Sequence, residues 1–164
     1  RQFIGYSAIY HFYSFPDKIR ARIGHFLILP PFQCKGHGFN FLKSIMDYYC
    51  SNDKVFDISL EDPSEDMLHL TDLYNCQQAM NIPEFKNIDS NSKFSTKLSA
   101  LCKSQYKMNH NYSIRVFEIL KLKYTLNNRK DEEKNRQEIL ERLNAGILRE
   151  RKRLEKIKKA ISEK

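Results

Sequence analysis

Tryptophan is absent from this chain, and glycine and proline occur only 5 times each in 164 residues. So few breakers exclude a collagen-like or low-complexity protein and make each glycine cluster informative. No apolar run is long enough to cross a bilayer as a helix. The 4 cysteines, Cys34, Cys50, Cys76 and Cys102, form no C-x-x-C pair, so their spacing does not fit a zinc ligand set. Reduced thiols in a cytosolic or nuclear protein are the simpler reading. The first residues, Arg1-Gln2-Phe3-Ile4-Gly5, show neither an initiator methionine nor a signal-peptide order and read as a fragment boundary.

What is present is a composition with 41% hydrophobic and 12% aromatic residues, enough for one packed domain and an appendage. The formal net charge of +8 is uneven. Residues 129–164 are dense in Lys and Arg, whereas Asp57, Glu61, Asp62, Glu65, Asp66 and Asp72 form an acidic cluster. A basic tail suits nucleic acid or acidic proteins, and an acidic patch suits a basic substrate. Both also read as solvated helix faces.

Residues 3–15 place Tyr6, Ala8, Tyr10 and Phe12 at period two, which predicts a strand. Pro16-Asp17-Lys18 is a turn signal. Residues 19–29 predict a second strand, antiparallel to the first. Its apolar end, Phe26-Leu27-Ile28-Leu29, predicts burial on both faces. Then comes Gln33-Cys34-Lys35-Gly36-His37-Gly38, followed by Phe39, Leu42, Ile45, Met46 and Tyr49 at helical spacing. Residues 55–60 predict a third strand with Phe56, Ile58 and Leu60 on one face, ending in Glu61-Asp62-Pro63-Ser64. Ser64 is placed to cap a helix reaching about Cys76.

Residues 81–92 read as a polar loop, and residues 94–107 and 111–126 as helices. From residue 131 onward Leu140, Leu143, Ile147, Leu154, Ile157 and Ile161 follow a 3–4 heptad spacing, with Glu150 interrupting it. Asn144-Ala145-Gly146 marks a cap or kink. The fold class is α/β (α+β), divided into a catalytic core over 1–80, a helical region over 81–128 and a basic charged helix over 129–164.

The chemistry starts at the glycine-rich turn. Glycines between a strand and a helix leave main-chain N–H groups uncovered, and the helix start adds its own free N–H groups and positive dipole end. That geometry holds phosphate without a charged side chain. The Q-x-x-G-x-G spacing of Gln33, Gly36 and Gly38 resembles the acetyl-CoA pyrophosphate loop of the GNAT superfamily of N-acetyltransferases.

Three segments narrow the resemblance: Tyr13-Ser14-Phe15-Pro16-Asp17-Lys18, residues 27–38 with their LILPPFQ start, and Glu61-Asp62-Pro63-Ser64. Together they resemble the catalytic subunit of type B histone acetyltransferases. Lys107-Met108-Asn109 and residues 115–120 resemble that family's helical C-terminal region. The resemblance implies a GNAT fold with a mixed, mostly antiparallel sheet followed by helices. It also implies that family members carry a further N-terminal region, of which this chain is the C-terminal continuation.

The implied activity is histone lysine N-acetyltransfer, directly from acetyl-CoA to a lysine of a free histone tail, with no covalent intermediate and no metal. Glu61 is implied as the general base, with Asp62 as an auxiliary. Its place at the end of an apolar strand predicts partial burial, a setting that favours proton uptake. The main chain of Phe26, Leu27 and Ile28 is implied to hold the thioester and the pantetheine arm. Gln33, Cys34, Lys35, Gly36, His37, Gly38 and Phe39 are implied to wrap the pyrophosphate, with Ser64 and Asp66 near the CoA arm or the acceptor peptide. The implied partner is a WD-repeat histone chaperone, and the implied location is nucleus and cytoplasm.

Each assignment has a plainer reading. Glu61 also reads as a strand-end carboxylate, Lys35 as a solvated loop lysine, His37 as a packing residue and Ser64 as an N-cap. Cys34, where many relatives have glycine, reads either as a reactive thiol or as an inert one. A GNAT enzyme acting on another amine, and a non-catalytic CoA-fold module whose basic tail binds nucleic acid, both remain open on the residues alone.

Overall fold

The computed structural model describes residues 2–89, 91–126 and 129–162, and leaves aside the side chains of residues 129, 146, 149–150 and 156–162. Two compact units are present. One comprises residues 1–88 and 93–120, the other residues 89–92 and 121–164.

The first unit holds a three-stranded mixed sheet in the order β1-β2-β3, so the class is α+β among the described residues. β1 (Gly5–Ser14) and β2 (Lys18–Ile28) pair antiparallel, and β2 pairs with β3 (Val55–Leu60) in parallel from Ile19↔Val55 to Ile23↔Leu60. Two parallel neighbours need a crossover. Here it is α1 (His37–Cys50), which turns Leu42, Met46 and Tyr49 onto the sheet as the 3.6-residue period requires. α2 (Glu65–Ala79) follows β3. It starts where the Ser64 side chain accepts a hydrogen bond from the Met67 amide at 3.2 Å, with Glu65 and Asp66 in its first turn. Ala21, Ile23, Leu42, Val55, Ile58, Met67 and Tyr74 form the core of this layer.

β3 differs from the single apolar face expected. Val55, Asp57 and Ile58 are all buried. One edge is closed by β2, and on the other the Ile58 amide donates to the Lys107 carbonyl at 3.1 Å. Asp57 is tolerated inside because Arg20 donates to both its carboxylate oxygens, at 2.9 and 2.6 Å. Removing the acid with Asp57→Ala takes away two charge-assisted hydrogen bonds and leaves a hole at a 3% exposed position. Because Arg20 is half exposed and can rehydrate, the expected loss is about 2 kcal/mol, read from the denaturation midpoint.

A second core joins the end of α2 to α4 (Thr96–Tyr106) and α5 (His110–Thr125) through Cys76, Ala79, Leu98, Cys102, Val116, Phe117 and Leu120. The stretch expected to be a polar loop contributes to it. Ile82 and Phe85 are 0% exposed, Ile88 is buried, and Pro83–Lys86 forms the short helix α3. The polar residues between them point outward, and the apolar ones fall at three-residue steps on the inner side.

In the second unit α6 (Arg129–Ser162) is helical throughout, so residues 144–146 neither cap nor end it. Lys121 pairs with Glu138 at 3.0 Å, and the Asn135 amide donates to Thr125 Oγ1 at 3.1 Å. Of the heptad positions, Ile157 and Ile161 lie outside the described side chains.

Candidate functional site

β2 outlasts β3. The last rung joins Ile23 to Leu60, and the Glu61 amide still donates to the Ile23 carbonyl at 3.0 Å. Beyond it, residues 25–28 pair only with β1 among the described residues. The Leu29 amide donates to Ile4 on the β1 side. Main-chain groups alternate along a strand, so those of Phe26 and Ile28 face the open edge. The apolar run is not buried on both faces: Phe26 and Ile28 are turned inward, while the Leu27 side chain alternates to the opposite face and is 40% exposed.

The turn Pro30–Phe32 follows, closed by the Gln33 amide on Pro30. Gln33 Nε2 caps the Ile28 carbonyl at 2.7 Å, tying the turn to the strand. Cys34 (φ 55°) and Gly36 (φ 79°) are in the left-handed region. Gly36 is the N-cap of α1, and the Asn40 amide donates to its carbonyl. Among the described residues, no amide from residues 34–39 donates to a main-chain carbonyl. Alternating left-handed residues at a helix start gather such amides into an anion-holding concavity. A Cβ on Gly36 would meet nothing within 4 Å, so glycine is needed there for conformation and not for space.

Glu61 emerges at the end of β3. Its side chain is 47% exposed, with a carboxylate oxygen 3.9 Å from Arg22, so the partial burial expected of it is not found. No described element covers that strand end. Asp62 turns the chain at φ 40° and leads to Ser64, the N-cap of α2. Gly24, which the sequence reading passed over, is the extra residue of a bulge opposite Ala8 and Ile9. A Cβ on it would lie 2.6 Å from the Tyr10 ring and 3.3 Å from Glu61 Oε2. A glycine inside a strand pattern was the available signal.

Two hollows meet at Phe26, Ser64 and Met67. The larger, about 590 Å³, is lined by Phe26, Leu27, Ile28, Gln33, Cys34, Gly36, Gly38, Phe39 and Ser64, together with Asp66, His69, Leu70 and Leu73 of α2. The smaller, about 250 Å³, contains Glu61 and Asp62. His37 and Lys35 line neither. His37 packs edge-on against Phe32 and borders a separate hollow, and Lys35 folds back onto the Pro31 carbonyl at 2.8 Å. Of the wall from α2, Asp66 was expected, whereas Met67, His69, Leu70 and Leu73 were missed because nothing local in a helix says which cavity it faces. The acidic cluster is also smaller than the sequence suggests. Asp57 is paired with Arg20, and Asp72 with Arg115 at 2.7 Å, whose guanidinium is thereby held more firmly charged. Away from the hollows, burial pushes the Tyr74 and Tyr112 phenols and the Cys50 and Cys102 thiols up.

Residues 72–122 match the family model described as "Histone acetyltransferase type B catalytic subunit, C-terminal". The chain is 33% identical over 159 residues to the mouse (Mus musculus) histone acetyltransferase type B catalytic subunit, covering 96% of this chain and 38% of that protein. It is 34% identical over 122 residues to the subunit of the same description in rat (Rattus norvegicus), covering 74% and 29%. A Dictyostelium discoideum subunit is 41% identical over 88 residues, covering 51% and 18%. The chain is a relative of the type B histone acetyltransferase catalytic subunits. It spans between about a fifth and two fifths of the lengths of these three relatives. The family-model match runs from α2 to α5 and thus covers the second core, while residues 24–64, with the loop and Glu61, lie before it.

The loop also yields a stability test. Cys34 is exposed and left-handed, a conformation that strains a residue with a Cβ. Cys34→Gly is expected to raise stability by about 0.5–1 kcal/mol in urea denaturation, the relief of strain exceeding glycine's extra chain entropy.

Proposed function

We propose that this chain carries the acetyl-CoA-binding and proton-abstracting part of a histone lysine N-acetyltransferase. The observation that carries the reading is continuity. Among the described residues, one uncovered strand edge runs from the Glu61 carboxylate to a turn whose amides at residues 34–39 have no main-chain acceptor. Residues 24–28 span roughly 16 Å at strand spacing, room for an extended pantetheine arm along the edge. The turn amides hold the pyrophosphate, and Gln33 fixes the turn by its bond to Ile28. The outward amides of Phe26 and Ile28 donate to the arm and to the thioester oxygen, on which charge develops during attack.

Glu61 removes the proton from the acceptor amine. A lysine with a pKa of about 10.4 is almost wholly ammonium at neutral pH and cannot attack until it is deprotonated. Transfer is direct, so Cys34 takes no part. The acceptor is a lysine of a free histone tail, drawn by Asp62, Glu65 and Asp66 and by Glu61, whose ion pair with Arg22 is long and exposed, whereas Asp57 and Asp72 are held closely by Arg20 and Arg115. A WD-repeat histone chaperone as partner, and the nucleus and cytoplasm as location, follow from the same family reading.

The test is calorimetric titration of the chain with acetyl-CoA, followed by turnover on a histone-tail peptide and on a polyamine. Binding of acetyl-CoA with transfer to the peptide is expected. A chain that folds but does not bind acetyl-CoA sinks the reading, and transfer to the polyamine alone replaces the histone with another amine.

A further inference from the structure

We propose that α6 is a docking helix for a partner protein's amphipathic helix that carries acidic residues beside its apolar stripe. Leu140, Leu143, Ile147 and Leu154 are 52%, 49%, 59% and 50% exposed. Their spacing makes Leu140, Ile147 and Leu154 the first position of successive heptads and Leu143 the fourth. Four large aliphatic residues on one stripe of a single helix, each half in water, form a seam without a described partner.

The charges beside the seam choose the occupant. The positions that flank the heptad seam between residues 144 and 153 are Asn144, Gly146, Arg151 and Arg153, and the arginines are exposed. Lys158, outside the described side chains, continues the series in sequence. A second copy of this chain would bring Arg and Lys against Arg and Lys, in a place where like charges select against pairing. A helix with Glu or Asp at its flanking positions would instead pair with Arg151 and Arg153 while covering the leucines. A nucleic-acid backbone would satisfy the arginines and leave the apolar seam in water, so a protein helix uses more of what the surface offers.

The test uses the full chain and a synthetic four-heptad peptide with leucine and isoleucine at its seam and glutamate at its flanking positions, followed by fluorescence anisotropy. A second peptide carries lysine in place of each glutamate. Binding of the acidic peptide at least about tenfold tighter than the lysine peptide, weakening with salt, is expected. The double variant Leu143→Asp with Ile147→Asp, checked for folding by circular dichroism, should lose that binding while keeping its affinity for acetyl-CoA unchanged. Equal binding of the two peptides overturns the proposal. So does self-association of the chain in sedimentation that the double variant abolishes, which would make a second copy the occupant. So does duplex DNA binding tighter than the acidic peptide and insensitive to the double variant.

Discussion

The Glu61→Gln variant is expected to transfer acetyl groups about 10²–10⁴-fold more slowly than the unaltered chain, the range lost when a positioned base is removed. Glutamine keeps the shape of the side chain and cannot take up the proton of an incoming ammonium. Little else changes. The ion pair with Arg22 is long, at 3.9 Å, and both partners are about half exposed, so its loss costs little stability. The amides of residues 34–39 and the edge at Phe26 and Ile28 are main-chain features that the substitution leaves in place, so affinity for acetyl-CoA should hold within about twofold. Turnover on a histone-tail peptide and calorimetry with acetyl-CoA read the two effects separately. With the base gone, the rate should climb steadily as pH rises toward the lysine pKa of about 10.4, because the acceptor then supplies its own free amine. Unchanged turnover would strip Glu61 of its role, and a joint loss of binding and turnover would make it a structural residue of the site.

The parts of this molecule legible in its sequence are those specified by neighbours along the chain. The turn at residues 33–38 announces itself through glycine spacing between an apolar strand and a periodic helix, and the structure puts it there. Ser64 caps α2 because a short hydroxyl three residues after a strand-ending acid, and just before helix formers, has few other uses. What the sequence hides depends on distant partners. The surroundings of Glu61 depend on what lies over the end of β3, which no local pattern encodes. Gly24 depends on the Tyr10 ring across the hairpin, fourteen positions away in sequence. α2 is hard to orient because Thr71, Tyr74, Asn75, Cys76 and Ala79 are all buried, leaving little contrast between its faces. α3 is masked by its own polar residues and by Pro83.

That masked segment should give the largest stability effect. Phe85→Ala is expected to cost about 3–5 kcal/mol, because the ring is 0% exposed and its removal leaves both lost burial and a cavity. The neighbours cannot readily close the gap. Cys76 and Ala79 are held on α2, Cys102 on α4 and Phe117 on α5, so each would have to move with its helix. The control lies one residue away. Glu84 makes an exposed ion pair with Lys97 at 3.4 Å, so Glu84→Ala should shift stability by less than about 1 kcal/mol. Chemical denaturation of both variants compares an anchor with a surface residue in the same four-residue helix. The second core supports the C-terminal half of α2, and the N-terminal half lines the larger hollow through Met67 and Leu70. The Phe85→Ala chain that remains folded should therefore bind acetyl-CoA normally while less of the chain is folded at a given temperature. A cost below about 1 kcal/mol for Phe85→Ala would mean that residues 82–88 behave as the solvated loop their polarity suggests and not as a wedge between helices.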